Sequence, residues 1–362
     1  MTVSATDRAD ALAERLSGAT LGALELFSVY LGTELGLYRT LRDEGPLTAG
    51  GLARGAGLAP RYAREWLEQQ AVAGLVSVGS TDDAPDERRY VLAPDHARVL
   101  VDADDLAHVA PFAHMVVGIG AAMPRVAAAY RRGTGVPYAA YGQAFRHGQG
   151  HINRPAYTRE LPEAWLGAMP DVLARLEGAR HTRVADVGCG QGFASVAIAR
   201  AFLGARVDGL DADPASIADA RDHAREAGVD GRVRFIEAPA ADLAAHGPYD
   251  LVLILESLHD MADPAGALAA ARAALAPDGA VLVVDERVAD AFHAPGDEVE
   301  RTMYGWSVTH CLPASLAEAP SAALGTVMRA GTVRALAEEA GFAAVEVLPV
   351  ENDFFRLYRL HA

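Results

Sequence analysis

The chain contains no lysine. Its 32 basic residues other than histidine are all arginine, set against 48 carboxylates for a formal net charge of −16 over 362 residues. So acidic a chain is a poor match for nucleic acid or an anionic membrane surface, and neither is expected as a partner. Cysteine is nearly as scarce. Cys189 and Cys311 are the only two, too few for a disulfide framework or a thiolate zinc site. No His, Asp or Glu group shows metal-ligand spacing, so no metal is expected. No unbroken apolar run reaches the ~18–20 residues of a membrane span. The first residues lack the basic-then-apolar layout of a secretion signal, and the cytoplasm is the expected compartment. Apolar residues, by contrast, make up 51% of the chain, enough for two cores.

Residues 8–42 read as helix, with Leu21, Leu24, Phe27, Val29, Tyr30 and Leu35 at broadly helical spacing and Leu37 and Leu41 extending the apolar face. Exposed together, Leu21, Leu24, Phe27 and Tyr30 would form a patch of the kind that marks an interface. Thr48 suits the N-cap of a short helix ending near Gly57, and 61–73 reads as a second helix stopped by Gly74. Two strands follow, 75–78 and 89–92, joined by a polar loop. Helix-turn-helix followed by a hairpin is a winged helix. Its second helix carries Arg61 and Arg64 but also Glu65 and Glu68, leaving no net positive charge to reach phosphates. Residues 94–133 read as helical. The stretch 134–160 is rich in Gly, Tyr, His and Arg and reads as a long connection. Its Tyr141, His151 and Arg154 suit a lid or the wall of a substrate pocket.

After a helix near 161–176, strands and helices alternate. Strands are expected at 183–187, 206–210, 233–237, 249–255 and 280–285, with helices near 193–202, 214–227 and 264–276, the pattern of an α/β protein with a parallel sheet. A helix at 331–341 and two strands, 343–348 and 354–360, close the chain. The first strand runs into Asp186-Val187-Gly188-Cys189-Gly190-Gln191-Gly192, and the second ends on Asp211. Glycines let backbone N–H groups approach a ligand, and an acid at the next strand tip suits a ribose diol. A dinucleotide fingerprint needs a third glycine where Phe193 stands, and Asp186 would repel a pyrophosphate. A cofactor carrying an amine and a sulfonium is favoured instead.

The pattern D-x-G-x-G-x-G with Asp211 downstream resembles motif I and the ribose-binding acid of class I S-adenosylmethionine (SAM)-dependent methyltransferases. The resemblance extends over 8–362. It implies an α/β fold with a Rossmann-like sheet, closed by an antiparallel hairpin, behind a helical winged-helix N-terminal domain. It also implies three segments: 1–133 as a dimerisation domain, 134–178 as a lid or connection, and 179–362 as the SAM-binding domain of a homodimer. The cofactor would be SAM and the product S-adenosylhomocysteine. Asp186 and Gly188 would line the methionine moiety, Gly190 and Gly192 would give close backbone approach, and Asp211 would take the ribose hydroxyls with Ala212 and Glu256 beside the cofactor. Members often carry Asp-Ala after the third strand, against the adenine. Here Pro239 stands in that place, leaving Asp242 or the backbone to make the contact.

The fourth strand runs into Glu256-Ser257-Leu258-His259-Asp260-Met261. Related O-methyltransferases carry His-Asp-Trp at this point, with the His as general base; Met261 replaces the Trp. An imidazole titrating near ~6.5 can take the proton of a phenol whose own pKa is ~10. The resemblance makes Asp285 the acid that orients His259, with Glu286 as the alternative and Asp260 adjacent. Met303, Trp306 and His310 are expected to wall the substrate pocket. Cys311 is not needed as a nucleophile. The expected reaction is methyl transfer to a small, partly aromatic metabolite, at a hydroxyl oxygen. Two other readings remain: a SAM-responsive winged-helix regulator, which a basic recognition helix would mark, and a SAM-fold enzyme turned to a non-methylating reaction, for which Met261 and Pro239 leave room.

Overall fold

The computed structural model describes residues 5–178 and 181–362. The expected start of the catalytic domain at 179 lies outside the described residues. The chain forms two compact units, Met1–Gly118 with His147–Pro155 and Ile119–Arg146 with Ala156–Ala362.

In the first unit α1 (Ala5–Glu34) and α2 (Leu37–Glu44) replace the single helix expected over 8–42. Gly36 separates them, with a left-handed φ of 66° that interrupts the helical ladder. Then come α3 (Ala49–Ala56) and α4 (Pro60–Val72). The Thr48 hydroxyl caps α3 by accepting the Gly51 N–H at 3.1 Å. A short hairpin of β1 (Ser77–Val78) and β2 (Tyr90–Val91) supplies the wing. Leu37, Leu41, Leu52, Leu67 and Tyr90 form the core. Leu21, Leu24 and Phe27 are exposed on α1, and so are Leu12, Leu16 and Leu31. Tyr30 does not join that face: its ring packs edge-on to His114 at 4.8 Å.

The helix expected over 94–133 is two, α5 (Pro94–Leu100) and α6 (Pro111–Arg132). Between them the Asp105 carboxylate accepts the Ala107 N–H at 2.9 Å and pairs with Arg98, so side-chain bonds displace the helical ladder. By length and composition α6 is apolar enough to cross a membrane, with 44% of its apolar window buried within the protein. The stretch 134–160 is not the loop its composition suggested. A tight turn at Tyr138–Tyr141 leads into α7 (Gly142–Arg159). Gly148 serves helix packing there, because a Cβ would lie 2.7 Å from the Met115 nitrogen and 2.8 Å from the Pro111 oxygen.

The second unit begins its regular core with α8 (Pro170–Glu177), preceded by a wide turn at Leu161–Trp165, where one helix was expected over 161–176. The alternation that follows is β3 (Thr182–Val187), α9 (Phe193–Ala201), β4 (Ala205–Asp211), α10 (Pro214–Glu226), β5 (Val233–Glu237), β6 (Tyr249–Leu255), α11 (Pro264–Ala273) and β7 (Leu275–Glu286). Next are α12 (Glu298–Trp306), the short α13 (Leu312–Ser315), α14 (Ala330–Glu339), β8 (Ala344–Val347) and β9 (Phe355–His361). The sheet order is β5-β4-β3-β6-β7-β9-β8, parallel through β7 and antiparallel at β9 and β8. Both faces are buried, so alternate residues of one strand serve different cores: Leu251 and Leu253 on one side, Val252 and Ile254 on the other. The chain leaves β3 toward β4 on one side and returns to β6 on the other. Such a switch point opens a crevice at the carboxyl ends of β3 and β6.

Candidate active site

The loop after β3 is built for close approach. Gly188, Gly190 and Gly192 have φ of 71°, 50° and 77°, a region side chains disfavour. A Cβ on Gly188 would lie 2.6 Å from the Ser257 Oγ, and one on Gly192 would lie 2.5 Å from the Phe235 ring. At Gly190 the corresponding direction is open. The loop thus joins the β6 end on one flank and the β5 strand on the other, with a bare backbone between.

Asp211 closes this loop from β4. One carboxylate oxygen accepts the Gly190 N–H and the other the Asp213 N–H, each at 2.8 Å. Burial raises its pKa above the ordinary carboxylate value. Asp213 caps α10 through the Ser216 N–H at 2.9 Å and is paired with Arg146 of α7 at 2.7 Å. Ala212 between them is exposed. Asp186 sits behind the loop, where it accepts the Ser195 hydroxyl at 2.7 Å; burial pushes its carboxyl up to about 6. Asp242 lies exposed on the turn Ala240–Ala245. Glycine backbone facing open space beside a strand-end carboxylate is the donor set that a nucleoside with a methionine-like arm requires, so these residues fit SAM.

The β6 and β7 ends supply the second half of the site. His259 stands on the turn Leu258–Asp260, 2% exposed, and its Nδ1 donates to Asp285, whose two oxygens lie 3.0 Å away. A Glu286 oxygen is 3.4 Å from the same nitrogen, and an Asp260 oxygen is 3.5 Å from Nε2. The tautomer-fixing partner is therefore Asp285, while Asp260 flanks the opposite nitrogen. Glu256 follows β6 directly, with a left-handed φ of 54°. Burial and then Asp285 push its carboxyl up to about 8, and burial and then Glu256 raise Glu286. Burial would lower His259, but Asp285, Glu286 and Asp260 outweigh it and hold the imidazole well above its ordinary value. Burial would likewise raise Asp285, and the imidazolium keeps it low. The shifts thus favour the charged forms of Asp285 and His259 and the neutral forms of Glu256 and Glu286.

Above this cluster α12 and the turn Ser307–Cys311 bring a buried Met303, a half-buried Trp306 and His310. His310 is enclosed by rings: Phe145 at 4.1 Å, Tyr141 at 4.5 Å and Tyr138 at 5.8 Å between centroids. Burial pushes it down to about 4, a neutral imidazole whose Nε2 has no hydrogen-bond partner among the described residues. The Tyr141 hydroxyl donates to the Thr309 carbonyl at 3.0 Å, which ties the 138–141 turn to this wall. His151 and Arg154 belong to the first unit, where His151 stacks on His147 at 3.8 Å and Arg154 pairs with Asp104 at 2.6 Å. Tyr138 and Phe145 belong to the aromatic stretch 134–160 that suggested a lid or pocket wall, and sequence reasoning left Ser257 out of the site.

A seven-stranded sheet of this order, with its glycine loop at the switch point, has the class I methyltransferase fold. Residues 179–332 match the family model described as a methyltransferase domain, and residues 22–102 match the Rv2258c-like winged HTH domain. The chain thus carries a winged helix-turn-helix domain followed by a methyltransferase domain. Among curated proteins, ubiquinone biosynthesis O-methyltransferase of Xanthomonas axonopodis pv. citri is 41% identical over 114 residues, 31% of this chain and 46% of that protein. The one from Cereibacter sphaeroides is 42% identical over 101 residues, 28% of this chain and 39% of that protein. The chain spans less than half the length of these relatives. The structure of mitomycin 7-O-methyltransferase superposes with a TM-score of 0.67 at 20% identity, covering 99% of this chain and 100% of that one. Human N-acetylserotonin methyltransferase in complex with SAM gives 0.67 at 17% identity and 99% coverage of both chains. These likenesses extend the shared fold over nearly the whole chain.

Proposed function

We propose that this protein is a SAM-dependent methyltransferase that methylates a hydroxyl oxygen of a small, partly aromatic metabolite. The observation that carries the reading is the His259–Asp285 pair at the strand ends beside a glycine loop closed by Asp211. SAM, when bound, supplies an electrophilic methyl group on a sulfonium. Gly188, Gly190 and Gly192 with Asp211 would hold it, Asp186 would brace the loop, and Ala212, Glu256 and Asp242 would flank it. His259 Nε2 takes the acceptor hydroxyl proton while Nδ1–H stays on Asp285, which fixes the tautomer and stabilises the imidazolium. Tyr141, Met303, Trp306 and His310 would form an apolar, mostly aromatic wall for a flat ring. The curated relatives named O-methyltransferases support oxygen as the target. The test is incubation with methyl-labelled SAM and pooled phenolic metabolites. The expected result is labelled product with S-adenosylhomocysteine in equal amount; SAM binding without transfer to any hydroxyl would point to the non-methylating alternative.

The working form is a homodimer in the cytoplasm, built mainly through residues 8–42 and the winged helix. Leu12, Leu16, Leu21, Leu24, Phe27 and Leu31 are a larger apolar face than a monomer ordinarily leaves in water. Nucleic acid and membrane are not partners in this reading: on α4, Arg61 pairs with Glu65 and Arg64 with Asp86. Light scattering at micromolar concentration should give twice the chain mass, and Leu24→Glu with Phe27→Glu should give the single mass; a wild-type monomer would refute the dimer.

A further inference from the structure

The side of His259 away from Asp285 gathers three donor atoms, of which methyl transfer uses only the His259 Nε2. Its Nε2, an Asp260 oxygen and the Cys311 sulfur all lie within 4.8 Å of one another. Asp260 is adjacent in sequence, whereas Cys311 arrives from the turn after α12, 52 positions beyond 259 by simple subtraction. We propose that His259 Nε2, Asp260 Oδ1 and Cys311 Sγ form a binding site for zinc, and that zinc there silences the base. The inference rests on the reading of His259 as the base.

Three observations carry it. First, the nitrogen–oxygen spacing fits, and the sulfur lies within 4.8 Å of both partners. Tetrahedral zinc bonds of roughly 2.0–2.3 Å put neighbouring ligand atoms roughly 3.3–3.8 Å apart, and Nε2 stands 3.5 Å from Asp260 Oδ1. Second, the outer contacts are those of a metal-ligating histidine. Its Nδ1–H is given to a carboxylate, Asp285, which leaves the Nε2 lone pair to point at the other two donors. Third, Asp260 Oδ1 is buried with no hydrogen-bond partner among the described residues, although the side chain as a whole is 21% exposed and so leaves a way in. The charges also close. A thiolate, a carboxylate and a neutral imidazole offset the two charges of the ion. The Cys311 proton and the proton an imidazolium carries on Nε2 both leave to solvent as the sulfur–zinc and nitrogen–zinc bonds form. One nitrogen, one oxygen and one sulfur suit zinc better than magnesium or calcium, which prefer oxygen alone. With three protein ligands a fourth position remains for water.

The test uses the full chain, stripped with a chelator and titrated with zinc chloride by calorimetry, and with cobalt(II) followed by absorption. One zinc should bind per chain, and cobalt should give a thiolate charge-transfer band in the near ultraviolet. Cys311→Ala should lose the band, keep basal methyl transfer, and need at least tenfold more zinc for half inhibition. Asp260→Asn, read by binding alone, should weaken zinc while preserving side-chain shape. No zinc binding by the wild type, or equal zinc inhibition of Cys311→Ala, overturns the proposal. If no methyl transfer is ever found, calorimetry and the cobalt band still decide the metal site.

Discussion

The two halves of the site are made of different material. The half proposed for the cofactor is mostly backbone: three glycines with positive φ and one carboxylate that accepts the Gly190 and Asp213 N–H groups, all within a segment from 186 to 213. The half proposed for the acceptor is side chain: His259, Asp285 and Glu286 from two strand ends, His310 from a turn, and rings from 138 to 145. A backbone site tolerates almost no change in shape but is nearly indifferent to what lies across from it. A side-chain site of buried, mutually charged groups can lose its chemistry by one substitution while its walls stay standing. Substitutions in the two halves should therefore separate binding from turnover.

The largest separation is expected at His259. His259→Ala should lower turnover by the ~10²–10⁴-fold typical of a lost general base, while calorimetry returns unchanged SAM affinity. Turnover within a few-fold of wild type would mean that the acceptor needs no base and that His259 only packs. The converse substitution is Asp211→Ala. It removes the acceptor of the Gly190 and Asp213 N–H groups together with the proposed ribose contact. At ~1.5–3 kcal/mol for a hydrogen bond to a charged group, SAM affinity should fall at least tenfold. Turnover at saturating SAM should fall much less. Equal affinity in the mutant would remove Asp211 from the cofactor site.

The same contrast governs what is legible in the sequence. Glycine spacing and the acid on the next strand are local signals, so the run from Asp186 to Asp211 carries the proposed cofactor half by itself. The parallel sheet and the winged helix are legible because hydrophobic periodicity is local too. Helix α7 is not, since Gly148 resembles a loop glycine and only its closeness to Met115 and Pro111 accounts for it. His259 and Asp285 stand out as strand-end residues, but their hydrogen bond and the crowding by Glu256 and Glu286 exist only once β6 and β7 pair. The grouping of Cys311 with His259 depends on a turn whose course no nearby residue dictates.

The smallest expected effect is a displacement of the pH profile, and it tests whether the acceptor half works through its charges. Against the opposing effect of burial, chiefly Asp285 raises His259 above its ordinary value, so the rate should rise with pH through a range above the ordinary imidazole value as the proton is removed. Asp285→Asn keeps an oxygen for Nδ1–H but removes the negative charge. The imidazole should then lose its proton at lower pH, moving the rising limb toward acid, with a chelator present to exclude metal. Stability follows the same pair. A raised His259 contributes fully below the ordinary imidazole value and loses that contribution as pH climbs through the raised one. A lowered Asp285 contributes above the ordinary carboxylate value and loses it as pH falls through the lowered one. The gap in Tm between wild type and Asp285→Asn should accordingly be widest at mildly acidic pH, between the ordinary carboxylate and imidazole values, and narrow toward both extremes. A profile that stays in place in Asp285→Asn would show that the carboxylate orients His259 without tuning it, and the acceptor half would then resemble the cofactor half in working by shape.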